Sequence, residues 1–224
     1  MRKLILHSLF CVGIFLFTST FCLGQAKPDT GKLKNQKSLS AVQVKAKFDE
    51  LKSSKTEVGL RRMSSSMESK GFKAEGTYFG TENSFEQDGK TVSSTLILQD
   101  YSKGNSKAAV GTVQISDGTN QESYTFSLEK TGNKPTDVEE NFVNAKGDVE
   151  KAHSWYSCLR NKIASICHSY FSFDRCWSTY TSWTSFLSCI SSIVCGISAG
   201  PKAIACCTCD CSWVCKWAVG CCDR

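Results

Sequence analysis

The residues in this chain best equipped for chemistry are its cysteines. Of 14, Cys11 and Cys22 lie in an apolar opening, and the other twelve fall in the last third of the sequence. These are Cys158, Cys167, Cys176, Cys189 and Cys195, then a dense run of Cys206, Cys207, Cys209, Cys211, Cys215, Cys221 and Cys222. Three chemistries are open to them. In an oxidising compartment, an even set of cysteines in a short segment pairs into disulfides. In a reducing one, Cys207, Cys209 and Cys211 have the density of thiolate clusters that hold zinc or copper. Cys167 beside His168 has the residue types of a thiol nucleophile and its base. Adjacent residues on a helix point apart, however, and no third orienting group stands out.

The first residues decide between these. Arg2 and Lys3 form a cationic start, Leu4 to Leu23 an apolar stretch, and Gly24 and Ala26 supply small side chains, which is the pattern of an export signal over residues 1–26 cut after Ala26. An uncleaved membrane anchor is the rival, weakened by His7, Ser8 and Thr18-Ser19-Thr20. A lipid on Cys22 is disfavoured by bulky Phe21 before it. Export exposes the thiols to oxidant before metal, so disulfides are expected at the twelve cysteines, with no metal and no other cofactor. Their connectivity stays open, because twelve cysteines allow on the order of ten thousand pairings.

Composition divides the rest. Residues 27–152 contain neither Cys nor Trp, whereas residues 153–224 hold all five Trp. The formal charge of +6 is spread as +2 in the leader, +1 in the middle and +3 in the tail. That excess mildly favours an anionic membrane and is too small and scattered for nucleic acid. Lys146-Gly147 and Lys151-Ala152 place basic residues beside the seam and make Lys146 and Lys151 candidate processing sites.

The elements that would position these residues follow from periodicity. Residues 27–40 are polar and basic, with Pro28 and Gly31, and predict a solvated linker. Ala41, Val44, Phe48 and Leu51 recur at helical spacing, as do Leu60, Met63 and Met67. From Gly71 the period falls to two. Val113 and Ile115 alternate with polar residues, as do Tyr124, Phe126 and Leu128, around the turn formers Asp117-Gly118-Thr119-Asn120. Thr91 to Tyr101 joins this hairpin through Gly104-Asn105, and Gly71 to Phe85 adds a further strand, giving a meander of three or four strands. Thr136 and Glu139 have capping-box spacing, and Val138, Phe142, Ala145, Val149, Ala152, Tyr156 and Leu159 continue as a stripe that predicts a helix through the seam. The fold class is therefore α+β: a small antiparallel β-meander with flanking helices over 41–152, followed by a small helical disulfide-rich domain over 153–224.

Within that last region Leu159, Ile163 and Ile166 share one helical stripe, and Phe186, Ile190, Ile193 and Ile197 another. Cys207, Cys211 and Cys215 fall four apart on a final helix that also carries Trp213 and Trp217. From Trp177 to Gly200 there are 24 residues without charge, with aromatic residues at one end. Ten of them are Ser or Thr, so the run suits a buried helix of a disulfide-tied bundle as well as entry into a membrane. Trp177, Trp183, Phe186, Ile190, Trp213 and Trp217 are the candidate membrane contacts.

An export signal, a long N-terminal part and a cysteine-rich end of some seventy residues resemble the precursors of halocin-type bacteriocins of the halocin C class. Ser157 to Cys222 carries the likeness, including Cys158, Cys189 and Cys195-Gly196-Ile197-Ser198-Ala199-Gly200. The resemblance implies that residues 153–224 are a secreted antimicrobial peptide acting on a target-cell membrane. It also implies that residues 27 to about 150 form a leader or immunity partner. No enzyme activity is implied, and no acid-base pair points to one. The rival class is a secreted structural or adhesive protein cross-linked through the same cysteines.

Overall fold

The computed structural model describes residues 32–54, 58–87, 89–132, 134, 137–143, 149–151, 155–167, 169, 171–192 and 207. The fold is α+β. Strands β1 (Lys32–Ser38), β2 (Lys73–Gln87), β3 (Lys90–Lys103), β4 (Ser106–Ser116), β5 (Gln121–Lys130), β6 (Val138–Val143) and β7 (Val149–Lys151) form one antiparallel sheet in chain order. Helices α1 (Ala41–Ser53) and α2 (Val58–Ser69) precede the long strands. Helices α3 (Trp155–Cys167), α4 (Phe171–Ser178) and α5 (Trp183–Ser192) follow them.

The long hairpins form where turn residues separate alternating strands. Gly104, at φ 56°, turns β3 into β4, so that Lys103 faces Ser106 across two residues. Asp117 organises the next turn by accepting from the backbone N–H groups of Thr119 and Asn120. Helix α1 starts on a capping box, with Ser40 accepting from the Gln43 N–H and Gln43 accepting from the Ser40 N–H. Helix α2 ends at Gly71, whose φ of 85° lets Phe72 N–H reach the Met67 carbonyl.

Two hydrophobic layers lie on opposite faces of this sheet. On one face Val44 and Phe48 of α1 and Leu60, Met63 and Met67 of α2 cover Ile97, Tyr101, Ala108 and Val110. On the other, Leu159, Ile163, Phe173, Trp183, Phe186, Leu187 and Ile190 cover Val92, Leu96, Leu98, Val113, Ile115, Phe126 and Leu128. The apolar residues of α3 to α5 and those of the sheet thus form one core. The described part of the cysteine-rich region is a layer of this fold.

Three expectations are corrected. The polar stretch taken for a linker is partly an edge strand: Lys32–Ser38 pairs with β2, where Lys34 forms an ion pair with Glu86 and Lys37 with Glu82. Among the described residues the meander has seven strands instead of three or four. The stripe from Val138 to Leu159 is not a helix. Val138, Glu140 and Phe142 form one row of β6 facing α3 to α5, β7 follows, and Tyr156 and Leu159 belong to the separate helix α3. Burial against β5 and its neighbouring layer favours the two-residue period that the charge of Glu140 conceals. The Thr136 cap, Ile193 and Ile197 lie outside the described residues.

Where β4 passes β5, Gly111 is paired with Phe126. A Cβ at Gly111 would come within 2.7 Å of Phe126 Cζ and 2.8 Å of the Ile97 carbonyl oxygen. Neither atom has room to retreat from the centre of the sheet. Gly111→Ala should therefore lower stability by about 1–3 kcal/mol in urea denaturation, and an unchanged midpoint would show that the sheet is not packed this tightly.

Candidate functional site: the contact between the sheet and the cysteine-rich helices

The helices α4 and α5 are built around aromatic side chains. Phe173, Trp177, Tyr180, Trp183 and Phe186, joined by Tyr156 of α3, form a cluster with edge-on contacts of 5.0 Å between Tyr156 and Phe173 and 4.7 Å between Tyr156 and Trp177. A bidentate pair ties α3 to α4 at the surface, with Arg160 donating to both carboxylate oxygens of Asp174 at 2.9 and 3.0 Å. That pair holds the Asp174 carboxyl below its ordinary range. Ser182 caps α5 by accepting from the Ser185 N–H.

The sheet grips this layer with apolar area and with three polar side chains. Glu140 of β6 accepts from the Tyr156 N–H at 2.8 Å. Asp100 of β3 accepts from the Thr184 N–H, at 3.2 and 3.3 Å from its two oxygens. Tyr156 and Thr184 hold the same place, the second residue of α3 and of α5. Each helix start thus presents an otherwise unpaired N–H and the positive end of its dipole to a carboxylate that is 97% or more buried. The third group is Lys130 at the end of β5, whose ammonium lies 4.6 Å over the Tyr180 ring and 5.5 Å from that of Trp177.

Magnitudes separate the roles of these contacts. Fully burying a side chain such as Phe186, Leu187 or Ile190 contributes roughly 1.5–3 kcal/mol, whereas a helix cap contributes about 1 kcal/mol. Apolar area therefore holds the layer to the sheet. The carboxylates fix where each helix starts, because a shift by one residue would leave a buried charge facing no donor.

The sequence-predicted residues are distributed as follows. Trp183, Phe186 and Ile190 are buried against the sheet, and Trp177 is partly buried beside them. Two disulfides are described, Cys158–Cys207 and Cys176–Cys189, with Cα separations of 5.7 and 5.6 Å. Both lie within the cysteine-rich region and suit an oxidising compartment. Cys167 ends α3, and Lys151 ends β7. Cys195, Cys206, Cys209, Cys211, Cys215, Cys221, Cys222, Trp213, Trp217, Ala26 and Lys146 lie outside the described residues. The run from Trp177 to Gly200 is not one helix: it is broken between Ser178 and Trp183. Among the described residues no helix is long and apolar enough to cross a membrane, and no group of three residues could hold a metal ion.

Asp100 and Glu140 carry the polar part of the contact, and periodicity alone does not find them. The signal available is that Asp100 continues the row of Leu96 and Leu98, and that Glu140 sits between Val138 and Phe142. The structure is of a defined class, an antiparallel seven-stranded meander between two helical layers, one of them disulfide-linked. No family model, curated protein or solved structure matches the chain.

Burial pushes the Asp100 carboxyl above its ordinary range, hydrogen bonds from Thr184 and Ser182 pull it down, and the nearby Glu75 charge adds to the rise. A carboxyl raised on folding binds its proton more tightly in the folded chain than in the unfolded one. Its contribution is fully present below the unfolded Asp value of about 3.9 and is lost as pH rises through the higher folded value. The stability of the native chain relative to Asp100→Asn should thus fall between pH 4 and pH 7. Urea denaturation of both across that range checks this, and a difference that stays flat or grows with pH would contradict it.

Proposed function

We propose that this chain is a secreted bacteriocin precursor. Its cysteine-rich C-terminal segment kills related cells at the membrane, and its N-terminal region keeps that segment silent until release. The observation that carries this reading is the burial of Trp183, Phe186 and Ile190, the side chains suited to a bilayer, against a sheet. Residues 27–152 contain no cysteine, so no disulfide joins the sheet to these helices. One cut between residues 144 and 154 turns a covalent layer into a bound peptide.

Two further features support release at a membrane. The hydroxyls of Tyr156 and Tyr180 are buried in the aromatic cluster and make no hydrogen bond among the described residues. Burial pushes the Tyr156 phenol up to about 12 and that of Tyr180 higher still. At a bilayer interface a tyrosine keeps its ring in apolar surroundings and its hydroxyl in water, so leaving the sheet relieves both residues. Secondly, Cys176–Cys189 ties α4 to α5 independently of the sheet, which preserves the aromatic face after separation. The N-terminal region, covering that face in the producing cell, takes the part of an immunity partner.

The test uses the oxidised chain, intact and after cleavage between residues 144 and 154. The intact chain should leave anionic phosphatidylglycerol vesicles sealed, and the cleaved chain should leak their dye and inhibit growth of related strains. If the separated 153–224 segment does neither, the proposal is lost.

A further inference from the structure

We infer that residues 32–151 serve as a folding template for disulfide formation: docked on the sheet before oxidation, the C-terminal helices are held so that Cys158 meets Cys207 and Cys176 meets Cys189. This function stands whatever the tail does after release.

The need for a template follows from the chain itself. Twelve thiols in about 70 residues allow on the order of ten thousand pairings, and so short a segment has little core of its own to choose among them. Chain statistics favour the wrong partner. Cys158 and Cys207 are 49 residues apart, while Cys167 is far closer in sequence, and closure of the longer loop is disfavoured about tenfold by its length dependence alone. Some structure has to override that preference.

The sheet is placed to do so. Cys176 and Cys207 are buried in the same cluster as Leu98, Val113 and Phe126 of the sheet, and Cys158 and Cys189 pack against that cluster. The helices that bear Cys158, Cys176 and Cys189 are set by sheet side chains: Glu140 fixes the start of α3, Asp100 the start of α5, and Lys130 lies over Trp177, the residue after Cys176. Both pairs are thereby brought to Cα separations of 5.6 and 5.7 Å, inside the span a disulfide requires. The template also has no thiol over residues 27–152, so it neither competes for pairing nor becomes cross-linked to the segment it orders. From β2 onward its strands pair with their neighbours in sequence and precede the cysteines in the chain, and pairings of such short separation form without closing long loops.

Each bridge forms by thiol–disulfide exchange with a small-molecule disulfide such as oxidised glutathione. One thiolate attacks the oxidant to give a mixed disulfide and expels one thiolate, and the partner thiolate then displaces the second. The cysteine pair loses two protons and two electrons, and the oxidant is reduced to two thiols.

The experiment takes the full chain from residue 27, reduced and unfolded in urea, and reoxidises it in a glutathione buffer with and without urea. Bridges are then mapped by mass spectrometry. Cys158–Cys207 should be the main bridge of Cys158 in native buffer and fall at least fivefold in urea, where nearer partners replace it. The double variant Asp100→Ala with Glu140→Ala should lose at least threefold in native pairing, and Asp100→Asn with Glu140→Gln should recover part of it. Hydrogen exchange on the reduced chain in native buffer should show β2 to β5 protected before any bridge exists. An unprotected sheet in the reduced chain, equal Cys158–Cys207 yield in urea, or wild-type pairing in the double alanine variant would each overturn the inference. Should the double variant fail to fold, the urea and exchange measurements still decide.

Discussion

The constraint on which the rest of this structure depends is that the central strands are apolar on both faces. In β3 the run Leu96-Ile97-Leu98 sends Leu96 and Leu98 to one layer and Ile97 to the other. Strand β4 repeats this, with Ala108 and Val110 on one side and Ala109, Val113 and Ile115 on the opposite one. A sheet of that kind has to be covered twice. Helices α1 and α2 cover one face. The second cover comes from beyond the compositional seam, from α3 to α5. A contiguous apolar surface as large as this face would otherwise promote association between copies.

Three kinds of interaction then divide the work at the second face. Apolar burial supplies most of the free energy, because Phe173, Trp183, Phe186, Leu187 and Ile190 all reach full burial there. The carboxylates of Asp100 and Glu140 add less and set register, since each is satisfied by one particular N–H. The disulfides act in another direction, tying α4 to α5 and α3 to Cys207 but nothing to the sheet. Cohesion within the layer is therefore covalent, whereas cohesion between layer and sheet is not. That asymmetry makes separation as a unit physically possible.

How much of this was legible depends on what each segment packs against. The strand ends around Asp117-Gly118-Thr119-Asn120, with Val113 and Ile115 on one side and Tyr124, Phe126 and Leu128 on the other, and the stripes of α1 and α2 are readable because there apolar and polar residues alternate in the expected period. The start of α1 is fixed by Ser40 and Gln43, a capping pair that the periodicity of Ala41, Val44, Phe48 and Leu51 does not reveal. Strand β1 was not readable, since it is an edge strand held to β2 by backbone pairing and by lysines opposite glutamates, with no apolar alternation. Residues 138–143 misled for the converse reason: Val138 and Phe142 are four apart, which suits a helix and a strand equally, and the residue that distinguishes them is charged. Glu140 is buried because α3 brings it an N–H from 16 residues away. A partner so distant leaves no mark on local periodicity.

The same reasoning explains the uncharged run from Trp177 onward. Such a run suggests a membrane segment because it carries no charge, yet its serines and threonines do not suit a lipid-facing helix. In the fold the two features have separate causes. Trp183, Phe186, Leu187 and Ile190 recur at helical spacing because they meet the apolar row of β2, β3 and β4, while Ser182 and Ser185 cap the helix they begin. Absence of charge follows from the surface that α5 lies on, since a lysine or glutamate in that row would face Leu98 or Val113 with no counter-ion. A segment shaped to fit an apolar sheet is chemically suited to an apolar bilayer as well. What distinguishes the two destinations is the pair of helix starts, which find Asp100 and Glu140 on the sheet and would have to find water or lipid headgroups in their place.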